Sequence, residues 1–255
     1  MLAKKPKIII KTPEQIAGIR KASQLAAATL DMITPYVKPG ISAEELDQLC
    51  NAYILAHGGK SACIGYHNYP RYTCISLNDT ICHGIPEKSI ILKEGDIVNV
   101  DVTAIVDGFF GDTSRMFAVG KVSKERANLI EMARVCLEIG MQQVYPGNRF
   151  GNIGYEIARH AERHGYSVVR EYTGHGVGIA FHEEPYVYHK ALKNSGDLIE
   201  AGMIFTIEPM INRGAHHTKL LSDKWTVKTK DGSDSAQFEH TILVTEGGYE
   251  ILTVA

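Results

Sequence analysis

Two aspartates on what reads as a single hairpin are the first chemistry the chain offers. In the run Asp96 to Val106, Val98, Val100, Val102, Ala104 and Val106 fall on one face, and Asn99, Asp101 and Thr103 fall on the other. Asp107-Gly108 is a two-residue turn signal that sets Val106 opposite Phe109 and Thr103 opposite Asp112. Asp101 and Asp112 then lie diagonally on one face, about 7–8 Å apart between backbones. Unless a cation separates them they repel and one pKa rises; the alternative is a pair of aspartates on a solvent-facing sheet. Farther on, Ile204, Thr206 and Glu208 share a strand face, and Gln237 to Val244 reads as a strand offering Glu239 beside Thr241. Between them, Gly174-His175-Gly176 flanks an imidazole with residues that let backbone and ligand approach closely. Four carboxylates and one imidazole are too oxygen-rich for a structural zinc and suit two Mn, Fe or Co ions. The rival reading of the glycine-rich segment, a phosphate cradle, lacks both a P-loop Lys-Ser/Thr and a Rossmann spacing.

The elements that must position these groups announce themselves by their ends. Thr12-Pro13-Glu14-Gln15 supplies an N-cap, a Pro at the first helical position and a capping-box Gln, ahead of an apolar pattern through Ile16, Ile19, Leu25, Ala26, Leu30 and Ile33 to Pro35. Ser42-Ala43-Glu44-Glu45 opens a second helix that stops near His57-Gly58. Ser123 caps a third, carried through Leu129, Leu137 and Val144 to Pro146, and a fourth spans about Asn152 to His164. A repeat with an offset of 107 residues runs beneath this order: Pro39-Gly40 recurs as Pro146-Gly147, His57-Gly58 as His164-Gly165, Gly95 as Gly202, and Asp101 falls on Glu208. The expectation is an α/β (α+β) chain of two pseudo-symmetric halves, about 12–118 and 124–245, within a single catalytic domain covering 1–255. A central antiparallel sheet flanked by helices would then bring the matching acids together.

Composition narrows the class. The 255 residues are 44% apolar and 22% charged with a formal net charge of -2, which argues against broad attraction to nucleic acid or an anionic membrane. No apolar run approaches the roughly 18 residues of a membrane span. Lys4, Lys5 and Lys7 are followed only by Ile8 to Ile10, short of a secretory core. Five cysteines without a C-x-x-C pair fit neither a disulfide framework nor a zinc ribbon, and point to a reducing cytoplasm.

Asp101, Asp112, Gly174-His175-Gly176, Glu208 and Glu239 together resemble the ligand set of the pita-bread metallopeptidases. Within that group, Ser76-Leu77-Asn78, Cys82-His83-Gly84-Ile85-Pro86 and Phe181-His182-Glu183 with Pro185 resemble the short bacterial form of type I methionine aminopeptidase. The resemblance implies a pita-bread fold and two divalent ions (Co, Mn, Fe or Zn), with Asp101 on one, Asp112 and Glu239 bridging, and His175 with Glu208 on the other. It implies that His83 and His182 are catalytic rather than ligands, that Glu208 also serves as general base, and that Cys63, Tyr66, Tyr69, Cys74, Phe181 and Trp225 hold a methionine side chain. Sulfur and aromatic faces do suit a thioether. Asn78 and Ser235 are implied in a monovalent-cation site. The implied substrates are nascent polypeptide N-termini with a small second residue, met in a transient ribosome contact by a monomeric cytoplasmic enzyme. No membrane and no specific nucleic-acid sequence are implied. The rivals are a prolidase or proline-specific aminopeptidase, which shares the five ligands, and a non-catalytic binding relative, which lacks them.

Overall fold

The computed structural model describes residues 7–254; Lys4 and Lys5 of the basic N-terminal stretch lie outside the described residues. Helix α1, Pro13–Ile33, begins where its signals place it: Thr12 takes the backbone N–H of Gln15, and the Gln15 side chain takes that of Thr12. Helix α2, Ala43–Ala56, opens with the same reciprocal pair between Ser42 and Glu45. Each box satisfies two donors that a helix start leaves orphaned. Helix α3, Lys124–Met141, stops short of the expected Val144. Gln143 and Val144 instead bond three residues back, to Gly140 and Met141, in the tightened turn common at helix ends. Helix α4, Phe150–Arg163, starts two residues before the expected Asn152, without a side-chain cap.

Strand pairing is antiparallel throughout the named ladders. The hairpin Ile97–Val106/Phe109–Ala118 has the register read from its turn, with Thr103 opposite Asp112 and Val106 opposite Phe109. Asp107 and Gly108 both adopt positive φ, 52° and 84°, as a tight turn of matching twist requires. Its valine face packs on α1 and α2 through Leu25, Leu30, Leu46 and Ile54. The corresponding face of the second half, Phe205 and Ile207, packs on α3 and α4 through Leu129, Ile153 and Ile157. Each such fully buried side chain contributes about 1.5–3 kcal/mol relative to exposure.

The 107-residue offset recurs in three dimensions. Helices α2 and α4 are the same length and start and end one offset apart. Gly40 and Gly147 (φ 94° and 86°), Gly58 and Gly165 (78° and 81°), and Gly95 and Gly202 (91° and 85°) share the left-handed backbone. Gly40 donates to Leu92 at 2.8 Å as Gly147 donates to Ile199 at 2.9 Å. The second half is nonetheless less regular. The expected strand Gln237 to Val244 is divided into Ser235–Gln237 and His240–Thr245, and its neighbour into Ile204–Ile207 and Met210–Asn212. Pro209 cannot donate to a ladder and pushes Glu208 out of register. Glu239 pairs across the halves instead, with Ser114.

Candidate metal centre

The breaks in the second half and the unbroken hairpin of the first aim their acids at one space. Asp101 and Thr103 project from the hairpin's first strand, and Asp112 from its second, where the Thr103 hydroxyl donates to it at 2.7 Å. Thr241 donates its hydroxyl to the Asp112 carbonyl at 2.7 Å and takes the Asp112 N–H, fixing the hairpin to the other half. Glu208 is held by Thr206 (2.7 Å) and by the Gln237 amide (3.1 Å), while its backbone N–H donates to buried His189. Glu239 is anchored through its backbone, its N–H to Ser114 and its carbonyl to the Thr113 hydroxyl.

His175 completes the set. Its Nδ1 lies 3.0 Å from the Gly176 carbonyl, which fixes the proton there and leaves the Nε2 lone pair 3.7 Å from Asp112 Oδ2 and 3.6 Å from Glu208 Oε1. Burial lowers its pKa to about 4, so at neutral pH it is a neutral donor. The flanking glycines are needed for the close backbone approach read from the sequence. A Cβ on Gly174 would meet the Thr206 carbonyl at 2.4 Å and one on Gly176 the Glu184 carbonyl at 2.3 Å, so they admit neighbouring strands rather than a ligand.

The donor set fits divalent metal. Asp112, His175 and Glu239 offer ligand atoms all within 4.8 Å of one another. Among the described residues no lysine or arginine pairs with Asp101, Asp112, Glu208 or Glu239. Burial pushes Asp112 up to about 7, and burial with mutual repulsion pushes Asp101, Glu208 and Glu239 well above the ordinary carboxylate range. Four such acids in one desolvated place call for compensating positive charge.

A pH signature follows for the metal-free protein. A carboxyl whose folded pKa is raised contributes stability at low pH that is lost as pH rises through that folded value. Burial also holds His83 and His175 near 4, so they oppose this trend only below about 6.5. Between pH 6.5 and 8, chelated protein should therefore lose melting temperature. One group contributes at most about 1.4 kcal/mol per pH unit, or about 3–6 °C for a chain of this size. Scanning calorimetry with and without divalent metal checks this; a flat apo profile across that window would contradict it.

The acids form one wall of a cavity of about 330 Å³. His83, His182, Cys63, Tyr66, Tyr69, Cys74, Phe181 and Trp225 line it too. Cys63, Tyr69 and Cys74 pack as a cluster against Phe181 and Trp225, with Tyr69 edge-on to Trp225 at 5.1 Å. The Cys74 thiol is held well above its ordinary range by its hydrogen bond with Cys63 and by burial, and all five cysteines are free and buried. His83 sits at φ 55° between the edges of Tyr172 and Trp225, a left-handed backbone that its surroundings must enforce. The His182 ring lies 4.1 Å from that of His175, and its Nδ1 is 2.9 Å from the Tyr66 hydroxyl. Glu183 shapes the turn before it, taking the N–H groups of Ile179 and Ala180 and pairing with Lys11.

Asn78 and Ser235 lie off this cavity. They meet through a backbone bond of 2.9 Å, while the Asn78 side chain is committed to Asp96 and Ile97. The sequence reading did not single out His67, Glu171, Tyr172, Tyr186 or Met210, which also line the cavity. Met210 was findable, two residues past Glu208 on the same face.

The fold has counterparts. The profile of metallopeptidase family M24 matches residues 17–246, and the chain belongs to that family. Within it, the chain is 52% identical over 248 residues to the methionine aminopeptidase of Escherichia coli, covering 97% of this chain and 94% of that one. It superposes on the crystal structure of methionine aminopeptidase from Rickettsia prowazekii with a TM-score of 0.96 at 46% identity, over 97% of this chain and 100% of that one. A prolidase from Pyrococcus furiosus shares the fold, at TM-score 0.78 and 21% identity, with 66% of its length covered.

Proposed function

We infer that the chain is a methionine aminopeptidase, a metal-dependent hydrolase that removes the first methionine from polypeptides. The observation that carries this is one cavity in which the carboxylate–imidazole wall is joined by a cluster of sulfur and aromatic side chains, whose soft faces suit a thioether. In our reading Asp101 would hold one divalent ion, His175 and Glu208 a second, and Asp112 and Glu239 both, with Co, Mn, Fe or Zn as the metals. Divalent ions held there would supply Lewis acidity toward water, the scissile carbonyl and the substrate's free amino group.

The chain's own groups do the rest. Glu208, fixed by Thr206 and Gln237, accepts the proton of the attacking water. The Tyr66 hydroxyl, 2.9 Å from His182 Nδ1, orients the imidazole so that Nε2, when it carries the proton, can donate to the oxyanion. His83, in its enforced backbone conformation, meets the amide nitrogen that leaves. Cys63, Tyr69, Cys74 and Trp225 enclose the methionine side chain, with Tyr66 and Phe181 beside them. A small second residue is preferred because the space beyond the scissile bond is confined by the acids.

The substrates are nascent N-termini, reached by a monomer in the cytoplasm through transient contact with the ribosome. Among the described residues no helix is long and apolar enough to cross a membrane. Residues 1–255 act as one catalytic domain of two halves. A monovalent-cation role for Asn78 and Ser235 rests on their backbone contact.

The decisive experiment offers Met-Ala-Ser and Ala-Pro peptides to metal-loaded protein. Release of methionine from the first and little turnover of the second is the expected result. The reverse preference would make the chain a proline-directed peptidase, the reading that the shared fold of the prolidase brings.

A further inference from the structure

Outside the acid wall, a second group of donors converges at the rim of the same cavity. Glu171, which lines the cavity, His216 and His217 offer ligand atoms all within 4.8 Å of one another. The two imidazole rings are 4.1 Å apart. His216 Nδ1 is shut off from solvent and has no hydrogen-bond partner among the described residues. An unsatisfied ring nitrogen of that kind carries a cost, which an ion held on Nδ1 would remove.

The donors sit on backbone that is already fixed. Gly214 donates to the Ser233 hydroxyl and accepts from Ser167, while Ala215 donates to Asp231 and accepts from the Asn212 side chain. The His217 carbonyl accepts from Lys230, and the strand Thr218–Leu220 pairs onward with Val227–Thr229. On the facing segment Val169 bonds to Met210, and the Glu171 carboxylate takes the Arg170 N–H at 3.2 Å. Little backbone ordering is left for a ligand to impose.

We propose that Glu171, His216 and His217 form an accessory site for one borderline transition-metal ion, with zinc as its reference occupant. Two imidazoles and one carboxylate suit Zn²⁺, Ni²⁺ or Cu²⁺ rather than Mg²⁺ or Ca²⁺. Three protein donors leave a position for water or for a group of the peptide chain as it enters. The site is separate in sequence and in donor set from the acid wall, and neither histidine has a part in the proposed hydrolysis.

The test uses the full-length enzyme already loaded with its catalytic metal and titrates Zn²⁺ calorimetrically into wild type, His216→Ala/His217→Ala and Glu171→Gln. Wild type is expected to take up one more equivalent than the double variant, and Glu171→Gln to weaken that equivalent by at least about 10–100-fold. Without added zinc the double variant should keep its melting temperature and its peptide turnover. If it does not fold, His217→Ala alone replaces it, because that side chain is exposed. Equal zinc stoichiometry and affinity in wild type and in the folded variant would overturn the proposal.

Discussion

Asp112→Asn should abolish peptide turnover and strip the protein of its metal while leaving the metal-free fold at least as stable at pH 8. Asp112 is buried beside His175 and Glu239, and its carboxyl is pushed up to about 7. An amide in its place still accepts the Thr103 hydroxyl through Oδ1 but removes one of four clustered negative charges. Repulsion in the empty site falls, and so does the charge that attracts cations. The affinity loss should exceed the about 10–100-fold typical of changes to groups that only support a ligand. Glu239→Gln should behave alike. Elemental analysis, turnover and melting temperature on one preparation decide it. An Asp112→Asn enzyme that keeps two bound metals and near-normal turnover would refute the bridging role.

The second large effect separates two histidines seven positions apart. His175→Ala removes the neutral imidazole within 4 Å of Asp112 and Glu208 and should lower metal affinity, with added metal partly restoring activity. His182→Ala removes the ring that bonds to Tyr66 over the cavity and should leave metal content intact. Its kcat should fall by about 10²–10³, the usual loss for one oxyanion donor. Tyr66→Phe, which removes the hydroxyl that orients His182, should show a smaller loss of the same kind. Metal titration beside steady-state kinetics reads all three. Metal release by His182→Ala, with retention by His175→Ala, would reverse the assignment.

Where local chemistry dictated geometry, the sequence was legible. A two-residue Asp-Gly turn permits one register, so the Thr103–Asp112 pairing could be read directly, and reciprocal capping fixed the starts of α1 and α2. The offset of 107 was visible because left-handed glycines recur at the same places in both halves. What escaped was tertiary. Phe238–Glu239 reads as uninterrupted strand, and only the neighbouring half supplies the Ser114 pairing that diverts it. The glycines beside His175 face carbonyls brought there by distant segments. The short strands Thr218–Leu220 and Val227–Thr229 carry too little apolar alternation to announce themselves. His67, Tyr172 and Tyr186 reach the cavity from irregular backbone or a short strand, whose course no periodicity encodes.

The bridge between Ser114 and Glu239 is the seam along which the two halves meet, and the donors are divided across it. Asp101 and Asp112 belong to one side; His175, Glu208 and Glu239 belong to the other. Neither half owns a complete set, so hydrolytic competence appears only when both have folded and docked. A partly folded chain would hold two or three scattered donors with no shared focus, and would sequester little metal and attack no peptide. For a peptidase, that division is a safeguard: the cutting edge exists only in the finished molecule.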